Sequence, residues 1–135
     1  MKITSEIFSN TWVNFAKLVK KNITENRNLL EKVSSMDTCV YGASARSSTL
    51  LNALNLGKEK FSGIADKNNL KWGKLSPVLG LKIDKPSIVI SNKIKNIFIA
   101  AFNFESEIKQ NLISELNWSG KVIVPLPNLP RTYTI

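Results

Sequence analysis

The chain carries the stretch Thr38-Cys39-Val40-Tyr41-Gly42-Ala43-Ser44-Ala45-Arg46, and this stretch decides the fold. It opens with a short, mostly apolar run, which predicts a strand that ends at Tyr41. Gly42 supplies the conformational freedom for a tight turn, and the leucines of residues 45–56 predict a helix that Gly57 ends. Strand, turn and helix in this order are typical of a layered α/β fold with parallel strands.

The same alternation of short apolar runs and helical patterns continues toward the C-terminus. It predicts strands at residues 61–65, 97–102 and 122–124, short strands at 81–83 and 87–90, a loop at 67–80 and a helix at 105–117. On the N-terminal side, apolar residues recur in steps of three or four and predict one kinked helix or two over residues 5–33. They are Phe8, Trp12, Phe15, Val19 and Ile23. Such a face packs against either its own domain or another chain.

Composition excludes several classes of function. The chain has 135 residues, one cysteine (Cys39) and no histidine, so it cannot assemble a disulfide framework, a Cys/His zinc site, or Ser-His-Asp or Cys-His catalysis. No apolar run approaches the ~20 residues that span a bilayer, and residues 1–6 lack the basic-then-apolar pattern of a signal peptide. We therefore expect no membrane contact and a cytoplasmic protein.

The net charge of +9 is compatible with a polyanionic or phosphorylated ligand, but its pattern favours solvated lysines. Only three of the 19 basic residues are arginines, and the lysines are scattered along the chain. Dedicated nucleic-acid binders carry arginine-rich blocks interleaved with aromatic residues, and the sequence has none. Nucleic-acid binding is therefore the weaker interpretation.

In open parallel sheets, ligands bind beyond the carboxyl ends of the strands. This rule selects four segments without any family knowledge: residues 42–46, 66–74, 103–104 and 125–127. Tyr41, at the end of the first predicted strand, is more typical of core packing than of acid/base catalysis. The lysines of residues 67–74 either contact a phosphate or are solvated.

Several of these residues have two interpretations. Gly42 is the one glycine left of a G-x-G-x-x-G pattern, because Ser44 and Ser47 stand at the other two positions, so ordinary dinucleotide binding is not favoured. Asp66 lies 24 positions after Gly42, near the spacing of a ribose-binding acid, but it fits a turn equally well. Asn103 precedes an acidic helix start, which favours a helix N-cap over an amide that binds a ligand.

Five segments stand out by their order and spacing. They are Val40–Arg46, Thr49–Asn52, Asp66–Asn68 with Lys71 and Gly73-Lys74, Ala101–Phe104 with Glu107-Ile108, and Val124–Pro127. Together they resemble the C-terminal domain of sugar C-methyltransferases over residues 37–127. The chain departs from the usual family residues at Ser47, Ser48, Asn69, Ser76-Pro77-Val78 and Phe102, and Ser47 weighs against close approach of a phosphate.

The resemblance implies a Rossmann-like, three-layer α/β domain with a mostly parallel sheet, preceded by an N-terminal helix or helices. It divides the chain into a helical segment, residues 1–36, that packs on the domain of residues 37–135. It assigns no catalytic residue and no metal ligand. The ligand-binding residues that we predict are Tyr41, Gly42, Ala43, Ser44, Ala45, Arg46, Asp66, Asn68, Lys71, Asn103 and Phe104.

Full-length members of that family place a zinc-binding region and an S-adenosylmethionine-binding domain first, and they methylate a carbon of a nucleotide-linked keto-sugar. Neither region is recognisable here, so the resemblance implies an excised or separately encoded domain. We expect it to bind a nucleotide-linked sugar and to position it for an S-adenosylmethionine-binding domain or subunit, without being catalytic alone. No cofactor is assigned to this chain itself. The alternative is a non-enzymatic protein-interaction domain with a decayed ligand site, and a homo-oligomer is left open.

Overall fold

The structure is a computed structural model that describes the backbone of residues 2–135 and the side chains of residues 11–135. Its helices and strands are α1 (Lys2–Glu31), β1 (Thr38–Tyr41), α2 (Ala45–Ala53), β2 (Gly63–Ala65), β3 (Ile83–Asp84), α3 (Ile88–Ser91), β4 (Asn96–Ile99), α4 (Glu105–Gln110), β5 (Lys121–Val124) and β6 (Arg131–Thr134). A π-helical segment, Asn111–Glu115, continues α4. The side chain of Phe8, part of the predicted apolar face, lies outside the described residues.

The described strands form one sheet in the order β3-β2-β1-β4-β5-β6. The strands from β3 to β5 pair in parallel, and β6 pairs with β5 in antiparallel register, Val122 opposite Tyr133. The chain moves from β1 outward to β3 and then returns to β4 on the other side of β1. A topological switch point therefore lies between β1 and β4. This topology confirms the predicted Rossmann-like α/β fold with a mostly parallel sheet.

The sheet buries an apolar cluster on each face. Val40 and Phe98 pack with residues of α1 and α2, whereas Cys39 and Ile97 pack with residues of α3 and α4. Successive residues of a strand point to opposite faces, so each central strand supplies both clusters. Burial on both faces explains why these strands appear in the sequence as almost continuous apolar runs.

Helix α1 runs from Lys2 to Glu31 as one helix, where the sequence predicted one kinked helix or two, and two asparagines within it fasten it to the domain. The side-chain amide of Asn22 donates to the carbonyls of Pro125 (3.1 Å) and Asn128 (2.6 Å), which follow β5 at the carboxyl edge of the sheet. Asn26 is fully buried and donates to the side-chain oxygen of Asn22 at 3.1 Å. Residues 11–21 are exposed throughout. Within residues 2–135, none of the helices has both the length and the apolar character that a membrane crossing requires.

One predicted strand is wrong and one strand is absent from the prediction. Residues 87–90, predicted as a strand, belong to the helical turn α3. Pro86 precedes this turn, where its missing N–H is not needed, and its carbonyl accepts the N–H of Val89 at 3.1 Å. Strand β6 is the absent one, because three of its four residues are exposed and no apolar run marks it.

Other boundaries differ by a few residues. The strand predicted at 97–102 ends at Ile99, because the next two amides, of Ala100 and Ala101, both donate to the carbonyl of Tyr41 at 3.0 and 3.3 Å. The short strand predicted at 81–83 is β3, and the helix predicted at 45–56 ends at Ala53. The helix predicted at 105–117 changes to π geometry at Asn111.

Candidate ligand cleft at the switch point

A cleft of about 380 Å³ opens at the carboxyl edge of the sheet, where the loops after β1, β2 and β4 converge on the start of α4. It lies at the topological switch point, the position at which ligands bind in open α/β sheets. The three loops and one face of α4 form its walls. The lining residues are Tyr41, Gly42, Ser44, Asp66, Lys67, Asn68, Lys71, Ala101, Phe104, Glu107 and Ile108.

Gly42 lies where the loop after β1 meets the loop after β4. Its φ is 111°, in the region that favours glycine, and its N–H donates to the carbonyl of Ala65 at 2.8 Å. A Cβ atom on Gly42 would come within 2.5 Å of the Cβ of Ala101 and 2.8 Å of its amide nitrogen. The position therefore requires glycine because two loops approach closely, whether or not a ligand phosphate also comes near.

Ser44 caps helix α2. Its hydroxyl oxygen accepts the N–H of Ser47 at 3.1 Å and lies 3.0 Å from the hydroxyl oxygen of Ser47. Ser47 is buried, so the serine pair fills space that glycines would leave open for a pyrophosphate. The hydroxyl of Ser44 is thus used within the protein as an N-cap.

Asp66 fastens the loop after β1 to the loop after β2. One carboxylate oxygen accepts the N–H of Ala43 at 2.8 Å, and the other accepts the N–H of Asn68 at 2.8 Å. The backbone carbonyl of Asp66 accepts the indole N–H of Trp72 at 2.7 Å. Of the two interpretations of Asp66, these contacts favour that of a residue that orders turns.

The two lysines of the cleft also have partners within the protein. Lys71 donates to the carbonyl of Ala43 at 3.2 Å and lies 3.8 Å from the carboxylate of Asp66. Lys67 donates to the carboxylate of Glu115 at 3.3 Å. The second pair is exposed and therefore contributes little to stability.

Tyr41 lines the cleft and makes a buried contact with the π-helical segment. Its hydroxyl donates to the side-chain oxygen of Asn111 at 2.6 Å, and the amide of Asn111 donates to Glu115 at 2.9 Å. Burial raises the pKa of Tyr41, with the charges of Asp66 and Glu115 adding to the effect. The pKa of Glu115 is lowered, chiefly because Asn111 donates to it. Tyr41 therefore stays protonated as a hydrogen-bond donor.

The opposite wall is a helical face of which the sequence-based prediction included only Phe104. Phe104, Glu107, Ile108 and Asn111 follow one another at steps of three, one and three residues, which places them on one side of α4 and its continuation. The side chain of Phe104 is 51% exposed, whereas Ile108 is buried. The carboxylate of Glu107 makes no hydrogen bond or ion pair with the other described residues. This spacing was the signal that could have found Glu107, Ile108 and Asn111.

The structure brings most of the predicted ligand residues together. Tyr41, Gly42, Ser44, Asp66, Asn68, Lys71 and Phe104 line the cleft, and Ala43 borders it through its bonds to Asp66 and Lys71. Ala45 and Arg46 lie exposed on α2, away from the lining. That any of these residues binds a ligand stays a prediction.

Asn103 neither lines the cleft nor caps a helix. It is exposed within the 3-10 turn Phe102–Phe104, and α4 begins directly after Phe104 without a side-chain cap. The N-cap interpretation of Asn103 is therefore wrong. The turn begins two residues after β4 and takes up the position that a helix start was expected to hold.

Comparison with known protein families identifies the domain. The sequence profile of the C-methyltransferase C-terminal domain matches residues 6–127, which include most of α1 as well as the sheet up to the loop after β5. The chain belongs to this family. The resemblance found over residues 37–127 thus extends through the N-terminal helix.

Two individual proteins are similar to this C-methyltransferase C-terminal domain. The C-methyltransferase NovU of Streptomyces niveus is 33% identical over 91 residues, which are 67% of this chain and 21% of NovU. The chain thus spans about a fifth of the length of that relative. The crystal structure of UDP-D-quinovosamine 4-dehydrogenase from Vibrio fischeri is also similar, with 18% sequence identity and a TM-score of 0.46. The match covers 73% of this chain and 91% of the dehydrogenase chain.

The cleft of this C-methyltransferase C-terminal domain does not fit the charged amino-acid end of S-adenosylmethionine, the methyl donor that the family implies. The carboxylate of that end needs a free cation, and the two lysines of the cleft, Lys67 and Lys71, are both paired within the protein. Asp66, the acid at the spacing of a ribose-binding residue, already accepts two backbone N–H groups.

Proposed function

We propose that this domain binds a nucleotide-linked sugar in the cleft and holds it for a methyl-donor-binding domain, without catalysing the methylation alone. The observation that carries the proposal is the cleft at the switch point, built from the loops after β1, β2 and β4 in a C-methyltransferase C-terminal domain. Its volume of about 380 Å³ falls within the range of small-molecule sites. Nucleotide ligands occupy this position in other α/β sheets.

The groups in the cleft support a positioning role. Methylation of a carbon beside a ketone needs a base that can take a proton from that carbon. The hydroxyl of Tyr41 is committed to Asn111, and the carboxylate of Asp66 is committed to two amides. Glu107 is an exposed carboxylate, and no hydrogen bond from another described residue orients its side chain as a base. The base and the methyl donor are therefore assigned to another domain.

The proposal is tested by calorimetry on the full chain with UDP-linked and dTDP-linked hexoses. We expect dissociation constants between about 1 µM and 1 mM, because a lone positioning domain makes only part of the contacts. Phe104→Ala should weaken binding, whereas Met36→Ala, an 80% exposed side chain at the opposite edge of the sheet, should not. Absence of heat with every nucleotide-linked hexose at millimolar concentration would refute the proposal.

A second function is supported by the apolar face of α1. Trp12 and Phe15 are 64% and 56% exposed, and their rings lie 5.9 Å apart. They continue into a groove of about 330 Å³ in which Leu18 and Val19 face Leu126 and its neighbours. Exposed apolar patches of this kind mark interaction sites. The partner that we propose is the methyl-donor-binding part of a methyltransferase.

This second function predicts that association with the partner can be lost while the domain still folds. A Trp12→Asp, Phe15→Asp variant should fold, since both side chains are exposed, but should lose association with NovU lacking its matched segment. Lys17→Asp on the same helix is the control and should retain association. A double variant that fails to fold would show that these rings pack within the chain. Equal association of all three proteins would exclude the α1 face as the interface.

A further inference from the structure

The amino edge of the sheet, opposite the cleft, gathers lysines that are far apart in the sequence. In a parallel sheet the residues that precede the strands meet at one edge, just as those that follow them meet at the other. Lysines precede or begin four of the five parallel strands, β2, β3, β4 and β5. We call them the edge lysines, and they are Lys58, Lys60, Lys82, Lys93, Lys95 and Lys121.

Backbone hydrogen bonds hold the starts of these strands side by side. The N–H of Lys95 donates to the carbonyl of Asp37 at 2.9 Å, and the N–H of Lys121 donates to the carbonyl of Lys95 at 2.9 Å. On the other side of β1, the N–H of Ser62 donates to the carbonyl of Thr38 at 2.8 Å and brings the turn before β2 to the same edge. Neighbouring strands lie about 4.8 Å apart, so the edge lysines extend over roughly 20 Å.

The charge of the edge lysines is not balanced within the domain. Lys95 is 74% exposed, and its Nζ lies 3.8 Å from the carboxylate of Asp37. The other edge lysines make no side-chain hydrogen bond or ion pair with the other described residues. Asp37 and Glu59 are the acidic residues of the same turns, so the side chains of this edge have an excess of four positive charges. Glu31 and Lys32, at the end of α1, cancel one another.

The carboxyl edge has no such excess at its cleft. The cleft is lined by two lysines, Lys67 and Lys71, and by two carboxylates, Asp66 and Glu107. The positive charge is thus concentrated at the edge that a ligand of the cleft does not reach. A surface of one sign attracts a partner of the opposite sign, so the amino edge fits an anionic partner of its own.

An exposed apolar side chain lies among the edge lysines. Met36 is 80% exposed and belongs to the turn before β1, the strand between β2 and β4. Methionine adapts its shape to a neighbouring apolar group and is enriched in protein interfaces. A protein segment has apolar side chains that can cover Met36, whereas a phosphate backbone has none.

The edge offers no aromatic ring to a nucleic acid. The aromatic residues near the edge lysines in the sequence, Phe61 and Trp118, are both buried. Surfaces that bind single-stranded nucleic acids combine cations with exposed rings on which the bases stack. The combination of lysines with one exposed methionine therefore favours a protein partner over a nucleic acid.

We propose that the amino edge binds an acidic segment of a partner protein, with its carboxylates on the edge lysines and one apolar side chain on Met36. Because the cleft opens at the opposite edge, this segment and a ligand of the cleft bind at the same time. The proposal does not depend on what the cleft binds.

The experiment measures fluorescence anisotropy of labelled probes with the full chain, at low salt and at about 200 mM salt. The probes are deca-glutamate, the same peptide with leucine at its two central positions, and oligo-thymidylate of the same length. We expect the leucine-containing peptide to bind at low salt with a dissociation constant of about 10–100 µM. Its binding should weaken roughly tenfold at the higher salt, because the contacts are exposed charge pairs.

Charge reversal locates the surface. Lys58→Glu with Lys93→Glu should weaken binding of the leucine-containing peptide about tenfold or more at low salt. Both side chains are exposed, so the variant should keep the circular dichroism of the wild type. The matched control is Lys17→Glu with Lys20→Glu, which changes the net charge equally on exposed positions of α1 and should weaken binding less than about threefold.

Met36→Ala tests the apolar contact. It should weaken binding of the leucine-containing peptide severalfold and leave deca-glutamate unchanged, because only the former has an apolar group to place there. Equal effects on the two peptides would contradict the role of Met36.

Three further results would overturn the proposal. If oligo-thymidylate binds more tightly than both peptides, the edge is a nucleic-acid surface. If the α1 control loses as much affinity as the edge variant, only the net charge matters. If no probe binds at millimolar concentration, the edge lysines are merely solvated. None of these results bears on the cleft, so the proposed function stands or fails separately.

Discussion

The carboxylate of Asp66, which follows β2, accepts the backbone N–H of Ala43, which follows β1, at 2.8 Å. A side chain from one loop thereby satisfies the backbone of the neighbouring loop across the carboxyl edge of the sheet. The same carboxylate accepts the N–H of Asn68 and lies 3.8 Å from Lys71. One residue thus joins two of the three loops that form the cleft.

Asp66→Ala should therefore loosen both loops at once. Two backbone amides lose their acceptor, and the expected cost is about 2 kcal/mol in the free energy of unfolding, measured by urea denaturation. Asp66→Asn keeps one side-chain oxygen and should cost roughly half as much. Asp37→Ala removes a more exposed carboxylate that pairs with Lys95 at the opposite edge, and should change stability by less than about 1 kcal/mol. Equal losses in the free energy of unfolding for Asp37→Ala and Asp66→Ala would contradict the role of Asp66 in joining the two loops.

Gly42→Ala should be far more damaging than its size suggests. The new methyl group would collide with Ala101 in a backbone region that side chains disfavour, at an expected cost of about 2–4 kcal/mol. The matched control is Gly63→Ala in β2, since a Cβ there meets nothing within 4 Å. Thermal unfolding of both variants compares them directly. A Gly42→Ala protein as stable as Gly63→Ala would show that the two loops do not approach as described.

Glu105→Gln should change how the free energy of unfolding depends on pH in the acidic range. Hydrogen bonds from Arg131 lower the pKa of Glu105, and the hydroxyl of Tyr133 adds to the effect by donating at 2.8 Å. Because the folded pKa is lowered, this contribution is present above the unfolded pKa of about 4.3 and is lost as the pH falls through the folded value. The pair is partly exposed, so we expect a difference of about 1 kcal/mol at pH 7 that vanishes toward pH 2.

Urea titrations of the wild type and of Glu105→Gln between pH 2 and pH 7 measure this difference. Glu107→Gln on the same helix serves as the control, since that carboxylate makes no hydrogen bond or ion pair with the other described residues. If the difference in the free energy of unfolding between the wild type and Glu105→Gln stayed constant from pH 2 to pH 7, that result would contradict the assigned ion pair.

Cys39 should be inert in the folded protein. It is 2% exposed, and burial raises the pKa of its thiol to about 12, so almost no thiolate forms at pH 8. A thiol reagent such as iodoacetamide should label the native chain roughly a thousandfold more slowly than the chain unfolded in urea. Labelling at comparable rates in both states would place Cys39 outside the core.

The sheet was largely predictable from the sequence because its central strands are buried on both faces. Apolar runs such as Thr38–Tyr41 and Val122–Val124 are confirmed as strands. Strand β6 was not predictable, because Arg131 to Thr134 follow prolines and expose most of their side chains. Its position depends on pairing with β5 and on the contact of Arg131 with Glu105, which are both long-range in the sequence.

The cleft was predictable in part, for a similar reason. The rule that loops after parallel strands share one edge places Gly42, Asp66 and Phe104 together, as the structure does. The hydrogen bond of Tyr41 to Asn111 joins the end of β1 to the first residue of the π-helical segment. The helical spacing places Asn111 on the same side of α4 as Ile108, but its partner Tyr41 lies 70 residues away in the sequence, so the bond itself could be found only in three dimensions.

The two asparagines that fasten α1 beside Pro125 also determine how near a partner comes to the cleft. Residues 2–21 precede these anchors, which corresponds to a helix of about 30 Å. A protein bound along this segment, as the proposed docking face requires, would be held at the edge of the sheet where the cleft opens, at an effective concentration in the millimolar range. Its encounter with a sugar in the cleft would then be intramolecular, and only the docking step itself would depend on the concentrations of the two proteins.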